Sequence, residues 1–241
     1  MKAIKKTLLA IALANLVGCA AMQTTLEHKD LQVSTQLSET LYLDEVQKQN
    51  KVVHLSVKNT SDQDVEITGM LKKAIEGHGY KVTNNPDRAH YLLQANILKV
   101  GKMSVSASRE ALGQGYGSVI TGVGSAAVVG AAGGSGNAML GAGLVMGLAD
   151  MAASSLVKDV NYAIITDVQV SERVEHQVSE ASQSNLKNGS NSETVQKSKT
   201  KSHFQRYRTR VVSSADKVNL KFDEAKPEIE KGLVRVLAGI F

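Results

Sequence analysis

From Leu31 onward apolar and polar residues alternate. Leu31, Val33, Thr35 and Leu37 take every second position, and Val53, Leu55 and Val57 do the same. Period-two alternation predicts strands half buried against a core. Asn59-Thr60-Ser61-Asp62 reads as a turn. Over 65–78 the spacing becomes helical: Ile67, Met70, Leu71, Ala74 and Ile75 share one face, and Gly77 and Gly79 mark its end. Residues 80–83 predict a short strand, Asn84-Asn85-Pro86-Asp87 a turn opening a short helical piece, and 91–103 a long strand. Further on, Val160, Tyr162, Ile164, Thr166, Val168 and Val170 alternate along another strand. Residues 177–202 hold only four apolar side chains in 26 and read as a mobile loop or an exposed hairpin tip. Phe204 to Leu220 reads as one or two strands. Asp223 to Phe241 reads as a closing amphipathic helix with Asp223 and Glu224 near its start and Pro227 in its first turn.

Two stretches depart from this pattern. The first is the beginning of the chain, where Lys2, Lys5 and Lys6 precede an apolar run from Thr7 to Val17 that ends in Leu16-Val17-Gly18-Cys19. This has the shape of a secretory signal, too short to span a bilayer comfortably. The cysteine at its end resembles the lipobox of bacterial lipoproteins. Cleavage then falls between Gly18 and Cys19, and Cys19 carries a diacylglycerol on sulfur and an N-acyl chain. Gly18 lets a peptidase approach, and the thiol is nucleophilic enough to be alkylated without elaborate activation. Cys19 is the single cysteine of the chain, so no disulfide within it competes for that sulfur. Stable anchoring takes more than one acyl chain. Ala20 and Ala21 lack the aspartate that typically retains such proteins in the inner membrane, so the resemblance implies a lipid-anchored address in the bacterial outer membrane.

The second stretch lies between Glu110 and Asp150. Its 39 residues include no charge and no histidine, and 20 of them are Gly or Ala. Gly133-Gly134-Ser135-Gly136-Asn137 divides it into segments of about 20 residues, close to the length of a membrane-spanning helix. It predicts a helical hairpin in the membrane that turns at Gly133, Ser135, Gly136 and Asn137. Gly122, Ala126, Gly130 and Gly134 recur every four residues, as do Gly143 and Gly147, and such ladders allow close helix packing in lipid. A soluble buried hairpin is the alternative. Gly141-Ala142-Gly143 with Gly147 beyond does not read as a dinucleotide loop, because it falls inside an apolar run and no matching acid follows. Asp150 reads as an interfacial residue, or as one facing a bundle interior.

The expected fold is therefore α+β: a small mixed sheet-and-helix body interrupted by a Gly/Ala-rich hydrophobic hairpin that inserts in the membrane. The parts are a signal peptide at 1–18, the first half of the body at 19–110, the hairpin at 111–157 and the second half at 158–241, with the polar loop at 177–202.

Charge and chemistry remove options rather than add them. Loss of residues 1–18 takes three lysines and no acids, leaving 25 basic against 23 acidic side chains. That balance, with no Trp and few aromatics, argues against a nucleic-acid partner. His28, His54, His78, His90, His176 and His203 are scattered without metal-ligand spacing, and no thiol beyond Cys19 remains for zinc or for nucleophilic attack. Glu172, Glu175 and His176 are close in sequence, yet a strand does not put all three on one face, and each reads as a solvated surface residue. The chain is not expected to be an enzyme or to need a cofactor.

From Cys19 to its end the chain resembles the TraT family of outer-membrane lipoproteins. The resemblance is carried by Gln36-Leu37-Ser38-Glu39-Thr40, Lys58-Asn59-Thr60-Ser61-Asp62, Gln94-Ala95-Asn96, Asp159-Val160-Asn161-Tyr162 and Ile165-Thr166-Asp167-Val168-Gln169. Most distinctive is the run from Thr209-Arg210-Val211-Val212 through Lys217-Val218-Asn219-Leu220-Lys221-Phe222 to Ala225-Lys226-Pro227. It implies surface exclusion in conjugation, resistance to complement killing, and a homo-oligomeric ring in contact with membrane lipid. Partners beyond self would be donor-cell pilus or outer-membrane proteins, and complement components. An α-helical outer-membrane pore and a structural glycine-zipper envelope lipoprotein stay open as alternatives. Residues 177–202 and the first part of the hairpin match the family poorly.

Overall fold

The computed structural model describes residues 30–118, 120, 159–188 and 192–241, with 180–188 and 192–200 described by their strand pairing alone. Its strands are β1 (Gln32–Leu37), β2 (Val52–Asn59), β3 (Lys81–Thr83), β4 (Tyr91–Lys102), β5 (Asp159–Asn188) and β6 (Ser192–Val218). Its helices are α1 (Thr68–Gly77), α2 (Val105–Gln114) and α3 (Phe222–Ala238), with single 3₁₀ turns at Lys48–Asn50 and Pro86–Arg88. The strands form one mixed sheet in the order β1-β6-β5-β4-β2-β3, curled into a half-barrel. β2 runs parallel to both β3 and β4, while the pairs β4/β5, β5/β6 and β6/β1 are antiparallel. Parallel neighbours need a crossover, and α1 supplies the one between β2 and β3.

The two faces of the sheet bury different cores. On one face Tyr91, Leu93, Ala95 and Ile97 of β4, Val160, Ile164, Val168 and Val170 of β5, and Val211 and Ala215 of β6 meet α1 and α3. α1 contributes Leu71 and Ile75, while Met70 stands half exposed at its margin. α3 contributes Ala225, Ile229, Leu233 and Leu237, which recur every four residues and so form one stripe. Pro227 is the sixth residue of α3 rather than part of its first turn, because the helix begins at Phe222. On the opposite face α2 covers a smaller patch, where Met103, Ala107 and Ala111 pack on Ala163, Ile165 and Val212. The middle of β5 and β6 is thus buried on both sides. That accounts for the continuous apolar runs Ala163-Ile164-Ile165 and Val211-Val212 within otherwise alternating strands.

The expected architecture needs correction. The molecule is mostly sheet, and among the described residues no helix is long and apolar enough to cross a membrane. The hairpin was expected to start at residue 111, but residues 111–114 form the last turn of α2, which starts at Val105 behind a Ser104 cap whose Oγ accepts from the Ala107 N–H at 3.1 Å. The helix then stops. Gly115 and Gly117 take φ of 71° and 76°, a left-handed conformation that side-chain-bearing residues rarely adopt. Small residues here therefore serve a turn on the sheet. The body, in turn, is a large two-faced sheet rather than a small frame around a hairpin.

Candidate functional site

Two buried polar clusters mark where the chain leaves the sheet. The first lies under α2. Asp167 of β5 and Arg210 of β6 are direct cross-strand partners, and Arg210 is fully buried. Its Nε donates to Asp167 Oδ1 at 2.7 Å and its Nη2 to Asp167 Oδ2 at 3.1 Å. Nη1 donates to the Ala111 carbonyl at 3.2 Å and Nη2 also to the Ser118 carbonyl at 2.8 Å. The Gly117 N–H donates to Asp167 Oδ2 at 2.8 Å, closing the network. The last carbonyls of a helix have no partner inside it. Here a guanidinium with donors in a fixed planar fork satisfies one of them and the loop beyond it at once. Ser118 Oγ lies 2.6 Å from the Gln114 carbonyl and 2.7 Å from that of Gly115, and tightens the same turn. The network holds residues 111–118 on the sheet just before residues 121–157. Between the two glycines, Tyr116 is half exposed with the Arg208 guanidinium 5.7 Å above its ring.

The second cluster lies on the other face, at the end of the β4/β5 pairing. Glu172 is buried there. The Tyr207 hydroxyl donates to its Oε2 at 3.1 Å, and the Tyr91 hydroxyl stands 3.4 Å from Oε1 and 3.1 Å from the Asp44 carbonyl. His90 Nε2 is 3.8 Å from Oε1. Burial and the neighbouring Glu172 carboxylate push the Tyr207 phenol up to about 12, and the same causes raise Tyr91. Burial lowers the His90 imidazole, with Glu172 pulling the other way. Both phenols thus stay neutral donors to the carboxylate at physiological pH. Beside them Arg173 donates through Nε to the Ala89 carbonyl at 3.2 Å and lies 4.7 Å over the Phe204 ring. The β5/β6 register breaks between Arg173 and Val178, and outside this point the two strands pair only with each other among the described residues.

These are not the residues that the sequence pattern singled out. Gly18 and Cys19, the ladder residues Gly122, Ala126, Gly130, Gly134, Gly143 and Gly147, and the turn residues Gly133, Ser135, Gly136 and Asn137 lie outside the described residues. Glu172 is corrected from a solvated to a buried side chain, whereas Glu175 and His176 are exposed. A signal for both clusters was present in the strands. Glu172 continues the parity of Val168 and Val170, and Arg210 stands in a run buried on both faces.

Together the sheet and its junctions define a scaffold, a curled mixed sheet whose β5 and β6 extend into a long two-stranded ribbon at one end. Comparison with known proteins gives this scaffold a family. A family profile described as "Enterobacterial TraT complement resistance protein" matches residues 30–241. A "TraT complement resistance protein" of Escherichia coli is 40% identical over 241 residues, covering 98% of each chain, and one from strain K12 matches to the same extent. A protein of the same description from Wigglesworthia glossinidia brevipalpis is 26% identical over 240 residues, covering 96% of this chain and 93% of its own. The chain belongs to the TraT family.

Proposed function

We propose that this chain protects the cell that carries it from complement, and that it also lowers uptake of conjugative DNA by blocking stable contact with a donor. The observation that carries the first part is similarity along nearly the whole chain, at 40% identity, to relatives described as complement resistance proteins. Exclusion rests on the same kinship. In this proposal the protein is an outer-membrane lipoprotein held by the acyl chains on Cys19, and several copies associate through their sheet bodies. It works by occlusion and binding, since both proposed activities require only that a surface be covered.

The test is expression of the full chain in a serum-sensitive, plasmid-free strain. Survival in normal serum should rise at least tenfold over vector alone, with no difference in heat-inactivated serum. Conjugation frequency into the same cells should fall by a similar factor. A Cys19→Ser chain made in equal amount should lose both effects. Equal killing with and without the protein would overturn complement protection, and unchanged mating would overturn exclusion independently.

A further inference from the structure

We propose that the cleft between α2 and β1 binds a pyranose sugar through its ring hydroxyls. The inference stands apart from complement protection and exclusion, because neither of them invokes this surface.

The cleft exists because α2 covers only part of its face of the sheet. Met103, Ala107 and Ala111 pack on Ala163, Ile165 and Val212, so the packed side of the helix rests on β5 and β6 rather than on β1. On β1, Gln32, Ser34 and Gln36 take alternate positions and are exposed. They lie on the side opposite Thr35, whose hydroxyl meets Ser213 beneath α3. In register they stand beside Asp216, Ser214 and Val212 of β6, and Asp216 stands in turn beside Asn161 of β5. The facing wall comes from Val105, Ser108, Arg109 and Leu112, which follow the i, i+3, i+4, i+7 spacing of one helical face. These groups line a cavity of about 190 Å³.

The chemistry of the lining selects the ligand. Arg109 and Asp216 balance in charge, so the cleft favours neither an anion nor a cation. Gln32, Gln36 and Asn161 bring amides, and Ser34, Ser108 and Ser214 bring hydroxyls. Amide and hydroxyl side chains both donate and accept, which matches a ligand built of hydroxyl groups. A planar amide, carboxylate or guanidinium presents two polar atoms side by side, and so can hold two vicinal hydroxyls at once. Val105, 39% exposed, joins Leu112 and Val212 in an apolar strip for the C–H face of a ring. At about 30 Å³ per water the cavity holds about six waters, and one pyranose with its hydroxyls displaces that set.

The inner end of the cleft is fixed in advance. Asn161 and Ser108 are only 7% and 6% exposed. Asn161 Nδ2 donates to the Met103 carbonyl at 3.1 Å and lies 3.4 Å from Ser108 Oγ, which itself donates to the Ser104 carbonyl at 3.3 Å. Elsewhere the contact between α2 and the sheet is closed by apolar side chains. Placing an amide and a hydroxyl here costs desolvation, and their bonds hold them in one arrangement, which lowers the ordering cost when a ligand binds.

The experiment is saturation-transfer difference NMR on the full chain in lauryldimethylamine oxide, a detergent without a sugar head group, titrated with glucose and with N-acetylglucosamine. The wild type should bind at least one of them saturably, with a dissociation constant of about 1–10 mM for so small a ligand. Gln32→Ala with Gln36→Ala, exposed positions whose backbone pairing is retained, should weaken binding at least fivefold at an unchanged melting temperature. Ser214→Leu, which fills the cavity from β6, should abolish it. Displacement of the probe by a peptidoglycan disaccharide would support the site and assign it to the cell-wall glycan, whereas displacement by lipopolysaccharide core oligosaccharide would support it and assign it to the outer leaflet. The site would be overturned by no saturable binding of either sugar to the wild type, by an equal dissociation constant in the double-alanine chain, or by equal displacement with the zwitterion glycine betaine. None of these results bears on serum survival or mating frequency, so this site and the proposed function fail separately.

Discussion

Replacing Arg210 by alanine tests whether the buried ion pair under α2 holds the start of the inserted segment. The substitution removes a fully buried guanidinium that bonds twice to Asp167 and once each to the carbonyls of Ala111 and Ser118. It leaves the Asp167 carboxylate, 11% exposed, facing the space the guanidinium filled, with the Gly117 N–H still on Oδ2. Removing one member of a buried pair costs about 3–5 kcal/mol, because the other charge stays uncompensated. Against a domain stability of about 5–15 kcal/mol this is a large fraction. Urea unfolding of the full chain in detergent, followed by far-UV circular dichroism, should show the midpoint falling by about 2 M if the slope is near 2 kcal/mol/M. Arg210→Met combined with Asp167→Leu should recover most of the loss, since no charge is then left alone. Amide exchange at 111–118 should stay fast in both variants, because the carbonyls of Ala111 and Ser118 lose their donor either way. A cost under about 1 kcal/mol for Arg210→Ala, or a double variant as unstable as its two singles summed, would refute the pair as the clamp.

Two further outcomes follow from the packing and the titrating groups. A Cβ on residue 232 would stand 2.5 Å from Thr35 Oγ1 and 2.8 Å from Ser213 Oγ, hydroxyls already bonded to each other at 2.8 Å. Gly232→Ala should therefore cost about 1–3 kcal/mol in unfolding free energy, partly regained with Thr35→Ala, and a melting temperature equal to wild type would contradict this close helix–sheet approach. His90 is held below its ordinary value by burial, so the folded state favours its neutral form. That contribution is complete above about pH 6.5 and is lost as pH falls through the lower folded value. His90→Asn should flatten the decline of the urea midpoint on the acid side of 6.5, and an identical pH slope in both chains would count against it.

Much of the body was legible because it obeys simple periods. Every second residue from Val160 to Val170 lies on the α1/α3 side, and the four-residue stripe of α3 is plain in the sequence. Two features escaped for physical reasons, and a third stayed ambiguous. α2 buries only Ala107, Ser108 and Ala111, side chains too small to mark an apolar face, and it merges into a Gly/Ala-rich composition that suggested something else. Residues 177–202 read equally as a mobile loop or an exposed hairpin tip, because their few apolar side chains show no alternation, and the β5/β6 pairing bears out the second. Glu172 and Arg210 escaped because a charged side chain ordinarily marks a solvated position. Their positions in the strand alternation point inward, and only the partners 35 and 43 residues away in sequence, Tyr207 and Asp167, make that burial tolerable.

The two clusters share a logic. Each is placed where a long segment departs: Asp167 and Arg210 beside residues 111–118, Glu172 and Tyr207 where the ribbon loses its flanking strands. A buried charge is weak evidence for stability, because an apolar pair of the same volume often serves as well or better. An apolar contact is also tolerant of direction. A planar guanidinium or a carboxylate between two phenols is satisfied in few orientations, so each charge fixes the angle at which the chain leaves the sheet. The two anchors sit five residues apart on β5, at Asp167 and Glu172. Side chains alternate across the sheet, so an odd separation puts the two anchors on opposite faces. Repacking either cluster with apolar residues should then preserve the melting temperature while loosening the departure on that face alone, which amide exchange on both sides of the sheet can read in a single experiment.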